Sequence, residues 1–318
     1  MNSKMQASAA VAAFFAIALF LGTASGRPEP QGQAPGKDAE PAIKKGDDLF
    51  KTGKYQDAIQ AYKEALGRDP NNDHVIEYTV LSYNRMGDRE QARSWMKRRL
   101  EVPSQTPSIK ARVLTDLALL YWDEARGNFL RSSAGGEKAK AEDLATIQKL
   151  VADGTDSAQK AVAIAPRSAK AFNLLNLLDR VQAELEQDGS KQKDSIARAD
   201  EALRHSIEFY EASAQQQQAH DMFGVPTVSV PAGQGAEGLK LGQAKKLGLG
   251  NVRSSNGSTV AVEVLVGLDG KVLYPRVVSA PAKTGDAAIA AAKQWEFEPS
   301  TFEGHAVQVI ETISFPVK

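Results

Sequence analysis

The residues that could do chemistry are few and badly placed for it. The four histidines, His74, His205, His220 and His305, lie far apart and none sits in an HExxH-type helical pair. A zinc site therefore has no ligand set in this chain. Gly248-Leu249-Gly250 begins like a nucleotide loop, but no strand precedes it and the third glycine is missing. Gly233 to Lys240 lacks the Gly-Lys-Ser/Thr ending of a phosphate loop. No serine occupies a nucleophile elbow. Asp47-Asp48 falls on a helical surface where solvation is the default, and His74 and His305 fall in expected turns. The basic run Arg93, Lys97, Arg98, Arg99 reads either as a solvated face or as a grip for an acidic peptide tail. The expectation is a non-enzymatic protein with no cofactor and no small-molecule substrate.

Composition narrows this further. The chain has 318 residues, with 39 basic and 39 acidic side chains and no cysteine. A balanced charge offers no field for nucleic acid. Absence of cysteine removes disulfides, thiolate metal sites, a thiol nucleophile and a lipidated cysteine. What is left is the chemistry of the backbone itself, through exposed strand edges and helical grooves.

The N-terminus addresses the compartment. Lys4 precedes an apolar run from Ala9 to Leu21, followed by small residues to Gly26. This reads as a secretory signal over residues 1–26, with an apolar run shorter than the roughly 20 residues that span a bilayer. The expected location is the periplasm, the alternative being an inner-membrane anchor if the run is retained. Residues 27–40 are rich in Pro, Gly and Gln and read as a flexible linker.

Residues 41–220 read as helix throughout, in nine segments. Ala42 to Asn72, AIKKGDDLFKTGKYQDAIQAYKEALGRDPNN, places small residues at Gly46, Ala58 and Ala65, aromatics at Tyr55 and Tyr62, and a stop at Pro70. That pattern resembles the 34-residue tetratricopeptide signature. Its cause is mechanical, because two helices approach closely only where one offers a small side chain to a bulky one. A looser unit follows with Tyr83, Gly87 and Ala92. A helix from Ile109 to Arg126 is then separated from its partner, Thr155 to Ala165, by an expected insertion over Gly127 to Asp153. Ala169 to Glu186 and Lys191 to Ala219 form the last pair. Gln215 to Gln218 read as a fraying helix end.

Residues 221–257 read as a linker, or as the first layer of the next domain, with a weak amphipathic piece over Leu239 to Leu247. Residues 258–318 then switch to alternation. Val260, Val262, Val264 and Val266 share one side, and Asp269-Gly270 marks a hairpin because glycine accepts the positive φ such turns demand. A second run covers Val272 to Val278. A helix from Asp286 to Gln294, capped by Asp286, puts Ala288, Ala292 and Trp295 on one face. The last strand, Ala306 to Phe315, puts Val307, Val309, Ile313 and Phe315 on one side, with Glu311 as the polar exception.

The pieces TVAVEVLVGLDGKVLYPRVVSA, AAIAAAKQWEFEPS and EGHAVQVIETISF resemble the C-terminal domain of TonB-type energy transducers. The resemblance implies a three-stranded antiparallel sheet with a helix on one face, in spatial order 2-1-3. The whole chain is then multidomain, an all-α helical repeat array followed by a small α+β domain. It also implies binding of an extended partner segment along the edge of the last strand, through Val307, Gln308, Val309, Ile310, Glu311, Thr312, Ile313 and Phe315. That edge is open to a partner, or covered by residues 223–257 or by a second copy as a homodimer. Implied partners are envelope proteins, with an outer-membrane receptor among them. Three features depart from the family pattern: no Tyr-Pro element precedes the first strand, the N-terminal apolar run has no polar contact for a motor, and a helical array replaces the Pro- and Lys-rich spacer. The reading is therefore an envelope adaptor, with energy transduction from an uncleaved anchor as the alternative.

Overall fold

The computed structural model describes residues 38–133, 141–214, 224–230, 237–248, 259–280 and 284–316. These form two compact units, a helical one reaching Pro226 and a strand-rich one beginning at Thr227. The expected signal, most of the first linker and Gln215 to Gln218 lie outside the described residues.

The helical unit runs α1 (Glu40–Lys51), α2 (Tyr55–Arg68), α3 (Asp73–Arg85), α4 (Arg89–Leu100), α5 (Pro107–Ser133), α6 (Ala141–Ile164), α7 (Ala169–Leu185) and α8 (Gly189–Ala214). The first pair closes where Gly46 faces the Tyr62 ring. A Cβ on Gly46 would stand 2.3 Å from that ring, so the contact admits no larger residue. Ala58, Tyr62 and Ala65 are fully buried, as the repeat pattern requires. Helix starts are capped by Asn72, Asp88 and Ser168, each accepting a backbone N–H three residues on.

The structure corrects two expectations here. Eight helices, rather than nine, are present among the described residues of 41–214. The expected insertion is mostly helix, since α5 continues past Arg126 to Ser133 and α6 already begins at Ala141. Gly154, which reads as a break, lies inside α6. A Cβ there would sit 2.9 Å from Leu178 and 3.0 Å from Tyr121, so this glycine serves close helix packing. The pair Gly135-Gly136 lies outside the described residues.

Ion pairs tie the helices together. Arg99 on α4 donates to both Asp73 carboxylate oxygens, at 2.6 and 2.7 Å, and to Glu77 at 2.8 Å. Arg126 on α5 reaches Glu184 on α7 at 2.7 Å, and Arg180 on α7 reaches Asp200 on α8 at 2.6 Å. Burial alone would raise the Asp73 carboxyl, but the Arg99 guanidinium and the Gln105 amide outweigh it and hold it below the usual carboxylate range.

The strand-rich unit contains β1 (Thr227–Val230), β2 (Leu239–Lys240), β3 (Ala244–Lys246), β4 (Thr259–Val266), β5 (Val272–Ser279), α9 (Gly285–Ala292), β6 (Glu296–Phe297), β7 (Ser300–Phe302) and β8 (His305–Pro316). The three long strands lie in the order β5-β4-β8, all antiparallel, which is the expected 2-1-3. Gly270 has φ +79°, and its carbonyl accepts the Phe297 N–H at 2.8 Å. The hairpin turn is thereby pinned to the end of the helix segment. Val260, Val262, Val264 and Val266 pack with Ala288, Ala291, Ala292, Trp295 and Phe297 in one core.

Two further corrections concern this unit. Residues 221–257, read as a linker or as the first layer of the next domain, follow the second reading in their described part, which supplies three strands; Leu239 to Leu247 contains β2 and β3 rather than an amphipathic piece. Its attachments are backbone bonds: Glu298 N–H to Gln243 O at 2.8 Å, Glu303 N–H to Gly238 O at 2.9 Å. The Trp295 indole N–H adds a third, to Gly248 O at 2.8 Å. The helix starts at Gly285 with Thr284 before it and no side-chain cap, so Asp286 lies in the first turn and favours the helix through its dipole alone.

Two outcomes follow from this packing. Trp295 is 1 % exposed, and Trp295→Ala should cost about 3–5 kcal/mol in urea unfolding of the full chain followed by circular dichroism. Asp73→Asn should cost about 2–3 kcal/mol at pH 7, less than for a fully buried pair because water reaches its rim. The Asp73 carboxyl lies lower in the folded state than in the unfolded one. Its contribution is therefore present above the unfolded carboxylate value, about 4, and is lost as pH falls through the folded one. The gap between wild type and Asp73→Asn should narrow at pH 3.

Candidate functional site

Strand β8 holds every residue expected at the site. On the helix-facing side Val307 and Val309 are buried and Ile313 packs on the sheet core. On the other side Gln308 and Ile310 are each 4 % exposed, so the first half of the strand is buried on both faces. Thr312 is partly exposed and Ser314 exposed. Phe315 continues the strand opposite Val260.

The edge of this strand is divided. Along one side β4 pairs with β8 from Val309 to Pro316. The hairpin strand β7 pairs with His305 to Val307. Parallel to β8, β1 aligns Thr227 with Gln308 and Val230 with Glu311. The Thr227 hydroxyl donates to the Gln308 side-chain oxygen at 3.3 Å. Beyond Val230 the sequence continues with Pro231, which has no N–H to extend a ladder. Among the described residues, Thr312 to Pro316 therefore pair with β4 alone. Of the occupancies left open by the sequence, cover by the 223–257 stretch is present over Gln308 to Glu311, and beyond Glu311 no second neighbour of β8 occurs among the described residues.

Glu311 stands at the boundary. Its same-face neighbours across the sheet are Val264 on β4 and Val230 on β1, with Val309 and Ile313 along its own strand. Burial pushes its carboxyl up from the ordinary value, and no partner for it is present among the described residues. Arg276 on β5 pairs with Glu263 on β4 at 3.2 Å, and Glu263 aligns with Thr312, so that pair lies on the opposite face.

In the helical unit the odd-numbered helices carry a run of acid–base contacts. Asp47 on α1 meets His74 on α3 at 3.0 Å, Glu77 on α3 meets Arg112 on α5 at 3.6 Å, and Asp116 on α5 meets Lys170 on α7 at 3.0 Å. Asp47 also accepts the Tyr62 hydroxyl at 2.8 Å. Burial would raise Asp47, yet His74 and Tyr62 hold it below its ordinary value. Asp47 is thus a linking residue, whereas Asp48 pairs with exposed Lys44.

Several sequence expectations move here. His74 belongs to the first turn of α3, and His305 opens β8. His205 stacks on Phe209 in α8, and His220 lies outside the described residues. The basic run on α4 is largely tied down: Arg93 pairs with Glu124, Arg99 with Asp73 and Glu77, and Arg98 donates to Pro70 O at 3.1 Å. Lys97 lies over the Tyr121 ring. Arg93 and Arg99 are thus spent on contacts inside the fold, while Lys97 remains exposed. No group of residues suited to a metal ion occurs among the described residues. Pairing partners 22 to 54 residues apart carried no signal in the sequence beyond charge.

Comparison with known proteins follows the same division. Residues 252–317 match the family described as Gram-negative bacterial TonB protein C-terminal, and residues 39–72 match the tetratricopeptide repeat. No curated protein matches the chain. Among solved structures, the MamA protein is 14 % identical with TM-score 0.27, over 57 % of this chain and 97 % of that one. MamA 41-end from Desulfovibrio magneticus RS-1 is 16 % identical with TM-score 0.27, over 58 % of this chain and all of that one. The TPR domain of P58(IPK) is 14 % identical with TM-score 0.26, over 58 % and 62 %. A TonB C-terminal domain implies a Gram-negative cell envelope. No described helix is long and apolar enough to cross a membrane. The chain carries a tetratricopeptide repeat region followed by a small α+β TonB C-terminal domain.

Proposed function

We propose that this protein is a non-enzymatic periplasmic adaptor that holds one envelope partner on its helical array and another by strand addition to β8. The observation that carries the second half is the edge from Thr312 to Pro316, which pairs on one side only among the described residues. Exposed edges are normally blunted by charge, proline or cover. Here β1 covers the first half, while the second half carries only Glu311 before it and Pro316 at its end. An incoming extended segment would gain about 1 kcal/mol net for each backbone hydrogen bond, with side chains choosing the partner. Both domain types are typically non-catalytic, and no enzyme family is found.

A second reading, an energy transducer acting on outer-membrane receptors, draws on the TonB match itself. It requires the apolar run Ala9 to Leu21 to stay in the inner membrane. The adaptor reading expects a mature chain beginning near Gly26 or Arg27, released by osmotic shock and identified by its mass. Full-length protein in the inner-membrane fraction would favour the transducer.

The strand edge has its own test. Thr312→Pro removes an amide from the open half of β8, whereas a proline at Gln308 or Ile310 would break the fold between β4 and β1. Thr312→Pro should abolish capture of an envelope partner with little change in thermal unfolding, and Thr312→Ala should bind as wild type. Equal binding by both variants would end the strand-addition reading. If the occupant is instead a second copy, light scattering should show a dimer that Thr312→Pro converts to monomer.

A further inference from the structure

The open half of β8 starts beside a carboxylate that nothing described compensates. Glu311 sits where β1 ends, on the face that carries Val264, Pro275, Val230, Val309 and Ile313. None of these side chains donates a hydrogen bond or carries charge. Arg276 and Glu263 pair with one another on the far face. A half-buried ionised carboxylate without a donor is costly, and the usual remedies are a cation or a proton. Burial pushes the Glu311 carboxyl above its ordinary value, as expected where no donor stands beside it.

Strand geometry states where the first remedy would come from. A segment added beside Thr312 to Phe315 places one residue opposite Ile313, on the same face as Glu311. Diagonal neighbours on one face lie roughly 7–8 Å apart at their backbones, within reach of a long side chain. Val230 blocks the position directly opposite Glu311, so the diagonal is the approach that remains. Lysine or arginine spans it, with an aliphatic stem to cover Ile313.

We infer that Glu311 selects the partner of this edge, favouring an extended segment that seats a lysine or arginine opposite Ile313. The inference rests on the strand-addition reading and adds the chemistry of the segment that binds. A neutral segment would bury the carboxylate further without a donor, and an acidic one would add repulsion.

The experiment uses the full chain and three labelled, end-capped decapeptides of alternating threonine and valine. They differ only at one central position, which is Lys, Gln or Glu, and binding is read by fluorescence anisotropy at pH 7.5. Wild type should bind the Lys peptide about tenfold more tightly than the Gln peptide, the scale of one charge-assisted bond. The Glu peptide should bind least. Glu311→Gln, which keeps shape and removes charge, should bind all three within about twofold of one another, roughly at the level of the wild-type Gln peptide. Thr312→Pro should lose all three. Equal binding of Lys and Gln peptides by wild type, or a Lys preference that survives Glu311→Gln, overturns the role of Glu311. If Thr312→Pro still abolishes binding in that case, strand addition stands without it. Failure of every peptide to bind wild type, or binding unaffected by Thr312→Pro, brings down both.

Discussion

Eight aligned pairs between β4 and β8, from Thr259 with Pro316 to Val266 with Val309, are the constraint on which the C-terminal domain depends. The two strands meet only after the chain has gone through β5, α9 and the β7 turn, so their pairing closes everything between. It places the valines of β4 under α9 and leaves Trp295 to seal the core. Once β4 occupies one side of β8, a further strand can join β8 only from the other side. The protein then spends half of that side on itself through β1.

This use of β1 shortens the stretch of β8 that pairs on one side only among the described residues. Four parallel pairs bury Gln308 to Glu311, a proline follows β1, and a proline closes β8. The exposed template is reduced to a few residues, which is how edge strands are kept from indiscriminate pairing. Affinity from so short an edge is limited, so a specific side-chain contact matters more than the ladder itself. Glu311 is in the position to supply one.

The helical unit obeys a different constraint. Its pairs close at small residues, Gly46 against Tyr62 and Gly154 against Tyr121 and Leu178, and ion pairs then hold neighbouring helices in register. Arg99, Arg126 and Arg180 are each nearly buried and each reaches another helix. Such pairs repay their desolvation only with good geometry, and the bidentate contact of Arg99 with Asp73 supplies it. The cations that look like a binding patch in the sequence are therefore largely part of the frame.

Alternation of valines over 260 to 266, the Asp269-Gly270 turn, the alanine face before Trp295 and the small-aromatic spacing of residues 42–72 were legible from the sequence by themselves. Each depends on contacts between residues close in the chain or on a fixed period, so one-dimensional order suffices to express it. The helical extent of α5 and α6 was not legible, because the stretch from Gly127 to Asp153 reads as an insertion and the place of Gly154 inside α6 depends on the facing Tyr121 and Leu178. The strands between Leu239 and Lys246 were hidden for a related reason. Their side chains are mostly exposed, and they are held by backbone bonds that leave no hydrophobic pattern. The cover of Gln308 to Glu311 by β1, and with it the uncompensated carboxylate of Glu311, was decided by tertiary structure alone. Parallel pairing joins residues about 80 positions apart through main-chain groups that every amino acid shares, and a sequence cannot mark what all of its residues have in common.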